Sequence, residues 1–388
     1  MAIDSVARGL ASRVPTLFQA GDPTFDGLSN GNLWLGTTPA SLNKDGGGGG
    51  FDGTGNTGIG DQALPSVTTG YRNTAIGNVA LQPLTTGTNN TACGQGAGWN
   101  FVSGNFNTFI GTDCFNQNVS GSENVGVGCE AGEYNLGSYN VYIGTRAGSN
   151  QSTTYSTTYN TVVGAYACAY ATGDHNVVIG GNAGYGDNVG GTSTFTHTVL
   201  VGYGAGNILT TGSNNTIVGD QAGAVITTSN GNTLMGANAG HALTTVGSNT
   251  LIGYAAGQSL TTNSNVCVGY TAGSSLTSGS SNTIIGTLTG TAGQASTIQI
   301  GTGSTLRVDF AATTAGVWTF AAPVKPQTYT IAQLLALTPL VAGEIAYVSD
   351  PSVGPGTSSV TFHLQVAATG TTATKCMAQC DGTNWFYM

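Results

Sequence analysis

One short phrase recurs along most of this chain: Asn, Thr or Val, a variable residue, Ile or Val, then Gly, with Ala three residues further on. Asn215-Thr216-Ile217-Val218-Gly219 followed by Ala222 is a complete copy. With that glycine as marker, copies stand at Gly60, Gly77, Gly94, Gly111, Gly128, Gly144, Gly164, Gly180, Gly202, Gly219, Gly236, Gly253, Gly269 and Gly286. The step is 17 residues in eight of the thirteen intervals and 16 in three, so each copy is one structural unit stacked on the next. The two longer steps, 20 and 22, carry insertions at Ser149 to Tyr159 and Gly181 to His197, expected as loops on a regular stack.

The columns of the repeat carry expectations of their own. Asn stands four residues before the marker in thirteen of fourteen copies, with Thr198 the exception. Its column, exemplified by Asn73, Asn215 and Asn249, is expected to stack at a turn, each amide satisfying backbone groups or the next asparagine. The markers, such as Gly77, Gly219 and Gly253, suit tight corners. Along a strand the residues three and one before the marker share a face, and that aliphatic face is expected inside, with the Ala column closing the opposite wall. The column two before the marker, including Phe109, Tyr142, Val162, Leu200, Ile217 and Leu251, is then left exposed for copies of the chain to cover.

A period this short excludes helix pairs, and 63 glycines in 388 residues oppose helix generally. The expected class is all-β: a parallel β-roll or β-solenoid of about 14 rungs, on the order of 65 Å long at about 4.8 Å per rung. The same residues carry a resemblance. Asn-Thr-x-Ile-Gly-x-x-Ala-Gly repeats over roughly 56–290 are similar to the head repeats of trimeric autotransporter adhesins, the YadA-like left-handed β-roll, and more closely to its version in phage fibres. The resemblance implies left-handedness and a homotrimer, intertwined or side by side.

Composition narrows the partners. Charged residues make up 6% of the chain, the net charge is −9, and eight scattered Lys and Arg cannot form a phosphate-binding footprint, so no nucleic-acid partner is expected. No continuous apolar run reaches membrane-spanning length. An acidic start, Met1-Ala2-Ile3-Asp4, does not read as a signal peptide, and nothing after Gly293 reads as a membrane anchor. These features favour a virus fibre, assembled in the host cytoplasm and carried on the virion, over a bacterial surface adhesin. Cys93, Cys114, Cys129, Cys168 and Cys267 are expected as small buried hydrophobes, and Cys376 and Cys380 as free thiols.

Five segments follow. Residues 1–45, with Phe18, Phe25, Leu33, Trp34 and Leu35, read as a virion-docking segment, and 46–55 with Gly46 to Gly50 as a hinge. Residues 56–293 are the shaft. Residues 294–322 form a neck of capping strands, with Thr297 to Gly301 a degenerate repeat and Leu306 to Phe310 alternating. Residues 323–388 form a β-rich tip with a short helix at Thr330 to Leu337, similar to end modules of phage tail fibres. There Trp385 and Tyr387 are candidates for trimer core or for a contact with a host glycan or protein.

Chemistry is sparse. Asp113 and Glu130 share the column two after the marker, about 5 Å apart, which raises a polysaccharide depolymerase as an alternative; Glu123, Glu133 and Arg146 gather nearby. The histidines at 175, 197, 241 and 363 are read as falling at different repeat positions. Tyr155 and Tyr159, on the first insertion, are candidates for a lateral glycan patch. An ice-binding face is set aside because it needs outward Thr at two positions per rung, and the second here is an aliphatic expected inside. The reading is a non-enzymatic fibre needing no cofactor or metal, with a capsid decoration lacking a receptor role as alternative.

Overall fold

A computed structural model of the protein describes residues 32–36, 53–149, 156–186, 193–303 and 305–312, with short strands at 318–320, 347–348, 362–363, 378–380 and 385–387. Over its repeats the chain is an all-β parallel solenoid, and no helix occurs among the described residues. Each rung contributes one strand, mostly of three residues, such as Thr216–Val218, Thr233–Met235 and Thr250–Ile252. Successive strands pair in parallel, residue for residue: Thr216 opposite Thr233, Ile217 opposite Leu234, Val218 opposite Met235. The rest of each rung is turn, so the fold is a single ladder of short strands with its return path built from corners.

The strands are short because both ends are fixed. At the C-terminal end the marker bends the chain away: Gly219 has φ 140°, and a Cβ there would lie 2.5 Å from the carbonyl carbon and oxygen of Gly236 on the next rung. Only glycine permits both that angle and that approach. At the N-terminal end sits the buried Asn column. Asn232 accepts at Oδ1 from the backbone N–H of Asn249 (3.0 Å) and from its Nδ2 (3.3 Å). Its own Nδ2 donates to Asn215 Oδ1 and to the Val246 carbonyl, both at 3.2 Å. The expected asparagine ladder is present, and Asn73 joins Asn56 and Asn90 in the same way.

Two further columns, five before and two after the marker, hold positive φ in every rung from Gly60 to Gly269, including Arg72 (55°), Asp113 (53°), Tyr139 (63°), Arg146 (55°) and His175 (58°). Such residues cost about 1–2 kcal/mol each in that conformation. Inter-rung bonds hold them there: the N–H of Asp113 donates to the Gln95 carbonyl and that of Tyr139 to Ser122, each at 2.9 Å. Side chains in these two columns stand at corners, one above another.

The facing of the strand is the reverse of the expectation. The column two before the marker points inside: Phe109, Val162, Leu200, Ile217, Leu234 and Leu251 are fully buried, and Tyr142 is nearly so. The columns three and one before it share a face, as expected, but that face is outside. Asparagine explains why. It is buried four before the marker, and strand alternation puts the residue two after it on the same side. The Ala column does close the opposite wall, with Ala80, Ala97, Ala222 and Ala239 fully buried. A column seven after the marker, with Leu84, Phe101, Leu209, Ile226, Leu243 and Leu260, fills the remaining bore.

Size is balanced within that bore. A Cβ on Gly126 would lie 2.7 Å from the Phe115 ring, which stacks between Phe109 (4.8 Å) and Tyr142 (5.6 Å). The hydroxyl of Tyr142 is met by Thr157 Oγ1 at 3.0 Å and by Asn135, so the one buried phenol in this stack is satisfied.

The array begins one rung earlier than its markers suggest. Leu33–Gly36 pairs in parallel with Thr57–Gly60, and Asn32 Oδ1 accepts from Asn56 N at 2.6 Å. Leu33, Trp34 and Leu35, read as part of a docking segment, are therefore a rung, with Trp34 buried over Gly58. Gly46 to Gly50 lie outside the described residues. At the other end Thr297–Thr302 stacks in parallel on Thr283–Gly286, and Thr305–Ala312 folds back antiparallel on it. In the last unit of the chain Tyr347–Val348 pairs with Phe362–His363, and Ala378–Cys380 pairs with Trp385–Tyr387, both antiparallel. The expected helix at Thr330 to Leu337 and Cys376 lie outside the described residues.

Candidate functional site

Three surface features follow from these columns. The first is the outer face of the ladder. Ile76, Ile110, Ile143, Ile179, Ile285 and Ile300 are each 39–41% exposed, Met235 45% and Leu35 38%, and the Val, Ile and Cys residues between them in this column are also unburied. Beside them runs the column of Thr and Val three before the marker. The stripe runs without a charge from Leu35 to Ile300 and offers on the order of 1,000 Å² of largely apolar surface, beyond the few hundred Å² usual on a monomer. The second rank of this face, set aside for ice as an inward aliphatic, points outward. It carries no hydroxyl, so the two outward threonines per rung that an ice face needs are absent from it.

Cys93 belongs to this stripe and is exposed, as is Cys129 on the following corner, whereas Cys114, Cys168 and Cys267 are buried as expected. Burial pushes the thiols of those three up to about 12, which makes them inert.

The second feature is a stack of rings in the column five before the marker. Tyr139 and Tyr159 lie 4.9 Å apart and 4° from parallel, Tyr159 and His175 5.1 Å apart, and His175 and His197 5.0 Å apart at 4°. Two histidines read as unrelated thus share one repeat position. Tyr159, a candidate sugar contact, has both ring faces against neighbours and offers its edge to water, which weakens it as a platform for a pyranose. Tyr155 lies outside the described residues.

The third feature is a pocket of about 290 Å³ across three successive rungs at the base of the first insertion. The Gly128 rung supplies Glu130, Glu133 and Tyr134, the next supplies Arg146 and Ser149, and the third supplies Ala169 and Tyr170. Corner geometry places them: Glu130 and Arg146 occupy the column two after the marker, so they meet across one rung spacing and Arg146 Nε is hydrogen-bonded to Glu130. The Asp113 and Glu130 carboxylates do share a column, but each has its own partner. Asn116 Nδ2 donates to Asp113 Oδ1 at 3.0 Å, while Glu130 is held by Arg146.

The strongly raised carboxyl is Glu133. Loss of water pushes it up to about 7, helped by the Glu130 and Asp113 carboxylates; Arg146 and a hydrogen bond to Ser149 oppose this without cancelling it. The sign for stability follows. Between the ordinary value of 4.5 and about 7 the folded chain holds a proton that the unfolded chain has lost, so stability falls as pH rises through that window. Glu133→Gln is expected to leave the melting temperature unchanged at pH 4 and to raise it by about 1–2 °C at pH 8, the half-wet position limiting the gain. Melting curves at the two pH values check it.

Among the described residues no group of three or more His, Cys, Asp or Glu is arranged to hold a metal ion. Among the described residues there is no helix long and apolar enough to cross a membrane. No protein-family model, curated protein or solved structure matches this chain.

Proposed function

We propose that this chain is the shaft-forming subunit of a homotrimeric virus fibre, held to the particle by its N-terminal part and presenting its C-terminal tip to a glycan or protein of the host surface. It acts by reach and attachment, without turnover. The observation that carries the reading is the uncharged stripe of Ile, Val, Leu and Met along the whole outer face of the ladder. A surface that long and regular is satisfied by an equally long and regular partner, and copies of the chain related by an axis along the stack supply one. The repeat resemblance to phage fibres supports the same arrangement. A capsid decoration with no receptor role shares the stripe and differs only in what the tip does; a tip-deleted fibre that assembles yet fails to adsorb separates the two.

Thiol labelling tests the trimer directly. Cys93 sits in the stripe and Cys129 off it, both exposed on the single chain. In the native protein a maleimide is expected to modify Cys129 at least tenfold faster than Cys93, with the difference abolished in denaturant. Equal rates in the folded protein sink the packing.

A further inference from the structure

We infer that the pocket formed by Glu130, Glu133, Arg146 and Tyr170 on the flank of the shaft is a binding site for a neutral saccharide unit. The inference goes beyond the fibre reading by placing a glycan contact on the shaft as well as the tip, and it does not depend on how many chains assemble.

The distribution of charge singles this place out. From 56 to 293 the chain holds two basic residues, Arg72 and Arg146, and eight acidic ones. Arg146 and four of the eight, Asp113, Glu123, Glu130 and Glu133, fall within three consecutive rungs, and three of these five side chains line the pocket. The stack does not need them: the rungs from Gly236 to Gly286 carry no charged residue and hold the same ladder. Keeping Glu133 where it loses water and faces two carboxylates lowers stability at neutral pH, a cost characteristic of functional positions.

The lining decides the ligand class. Arg146 already compensates Glu130, so an anion would meet Glu133 with no unspent positive charge, and a cation would meet a guanidinium. A neutral polyhydroxylated ring uses every group: carboxylate oxygens accept from adjacent hydroxyls, the guanidinium and the Ser149 hydroxyl donate, and Tyr134 and Tyr170 supply hydroxyls and ring surface beside Ala169. At about 290 Å³ the site lies at the small end of ligand pockets, with room for a monosaccharide or disaccharide unit. None of its residues belongs to the outer stripe. They stand two to six positions after the marker, whereas the stripe stands one and three before it.

The test is a titration of the full-length protein with oligomers of glucose, galactose and N-acetylglucosamine, read by saturation-transfer NMR and calorimetry, with native mass measured on the same sample. At least one of these neutral sugars is expected to bind. Arg146→Asn, chosen because asparagine tolerates the positive φ at this position, and Tyr170→Ala are each expected to weaken binding at least tenfold while melting temperature and native mass hold. Absence of binding by any of the three, or binding unchanged in both variants, overturns the site. A monomer that binds sugar would retain the site and lose the fibre, and a trimer that binds none would do the reverse.

Discussion

Replacing Ile110 and Ile143 together by aspartate is expected to turn the proposed particle of three chains into single chains of 38.8 kDa, as measured by light scattering, with the far-ultraviolet spectrum of the ladder preserved. Both side chains are about two fifths exposed on the isolated chain and lie two rungs apart in the stripe. With on the order of 1,000 Å² of stripe per chain, packing around a shared axis removes apolar surface worth roughly 25 kcal/mol per chain before the costs of association. Each aspartate would bring three carboxylates together at that axis, at several kcal/mol of desolvation apiece. Tyr203→Asp is the control: it is 58% exposed but lies one position after its marker, away from the stripe, and is expected to leave the mass at three chains. A wild-type monomer at micromolar concentration, or a double variant that stays trimeric, overturns the assignment of the stripe.

Asn232→Leu is expected to destabilise the rod by about 3–5 kcal/mol. It removes the acceptor of the Asn249 N–H and the donor to the Val246 carbonyl, and leaves buried polar groups without partners at roughly 1–3 kcal/mol each. Asn232→Thr should cost less, about 1–2 kcal/mol, because threonine already stands in this column once: Thr198 donates its N–H to Asn176 Oδ1 at 3.0 Å and turns its hydroxyl to the Thr196 carbonyl. Since rungs bond to their neighbours and not beyond, the damage is expected to stay local. Hydrogen exchange should quicken in the Gly219 to Gly269 rungs first, and thermal unfolding should split into two steps.

The period, the strand positions, the asparagine ladder and the alanine wall were all legible as columns, because each is a repeated choice among chemically distinct residues. Which side of the strand faces inward was not legible from hydrophobicity, since both alternating columns are apolar. The deciding signal was polar: an asparagine whose amide is used up inside the coil commits every second residue after it to the same side. Size was a second signal, because the inward column mixes Gly58, Ala75, Phe109, Gly126 and Tyr142, which only neighbours in a closed bore can balance, as Phe115 balances Gly126 and Trp34 balances Gly58. The first rung escaped notice because Asn32 stands 24 residues before Asn56 and Pro39 occupies the place of the usual alanine. Around the pocket, the crowding of Glu130, Glu133 and Arg146 could be read from spacing. Tyr134, Ser149, Ala169 and Tyr170 could not, because the columns five and six after the marker carry no consensus.

The way each rung closes only onto its neighbours makes reach a heritable variable. Excising seventeen codons, those for residues 233–249, would bring Thr250 directly after Asn232, and Asn232 would find Asn265 where Asn249 had been. Every ladder would be rejoined in phase, and the stripe would lose one pair of side chains, Thr233 and Met235, without losing its line. Unequal recombination between copies can therefore lengthen or shorten the rod by whole rungs, and in the proposed fibre that would set the distance between particle and host while keeping every ladder in register.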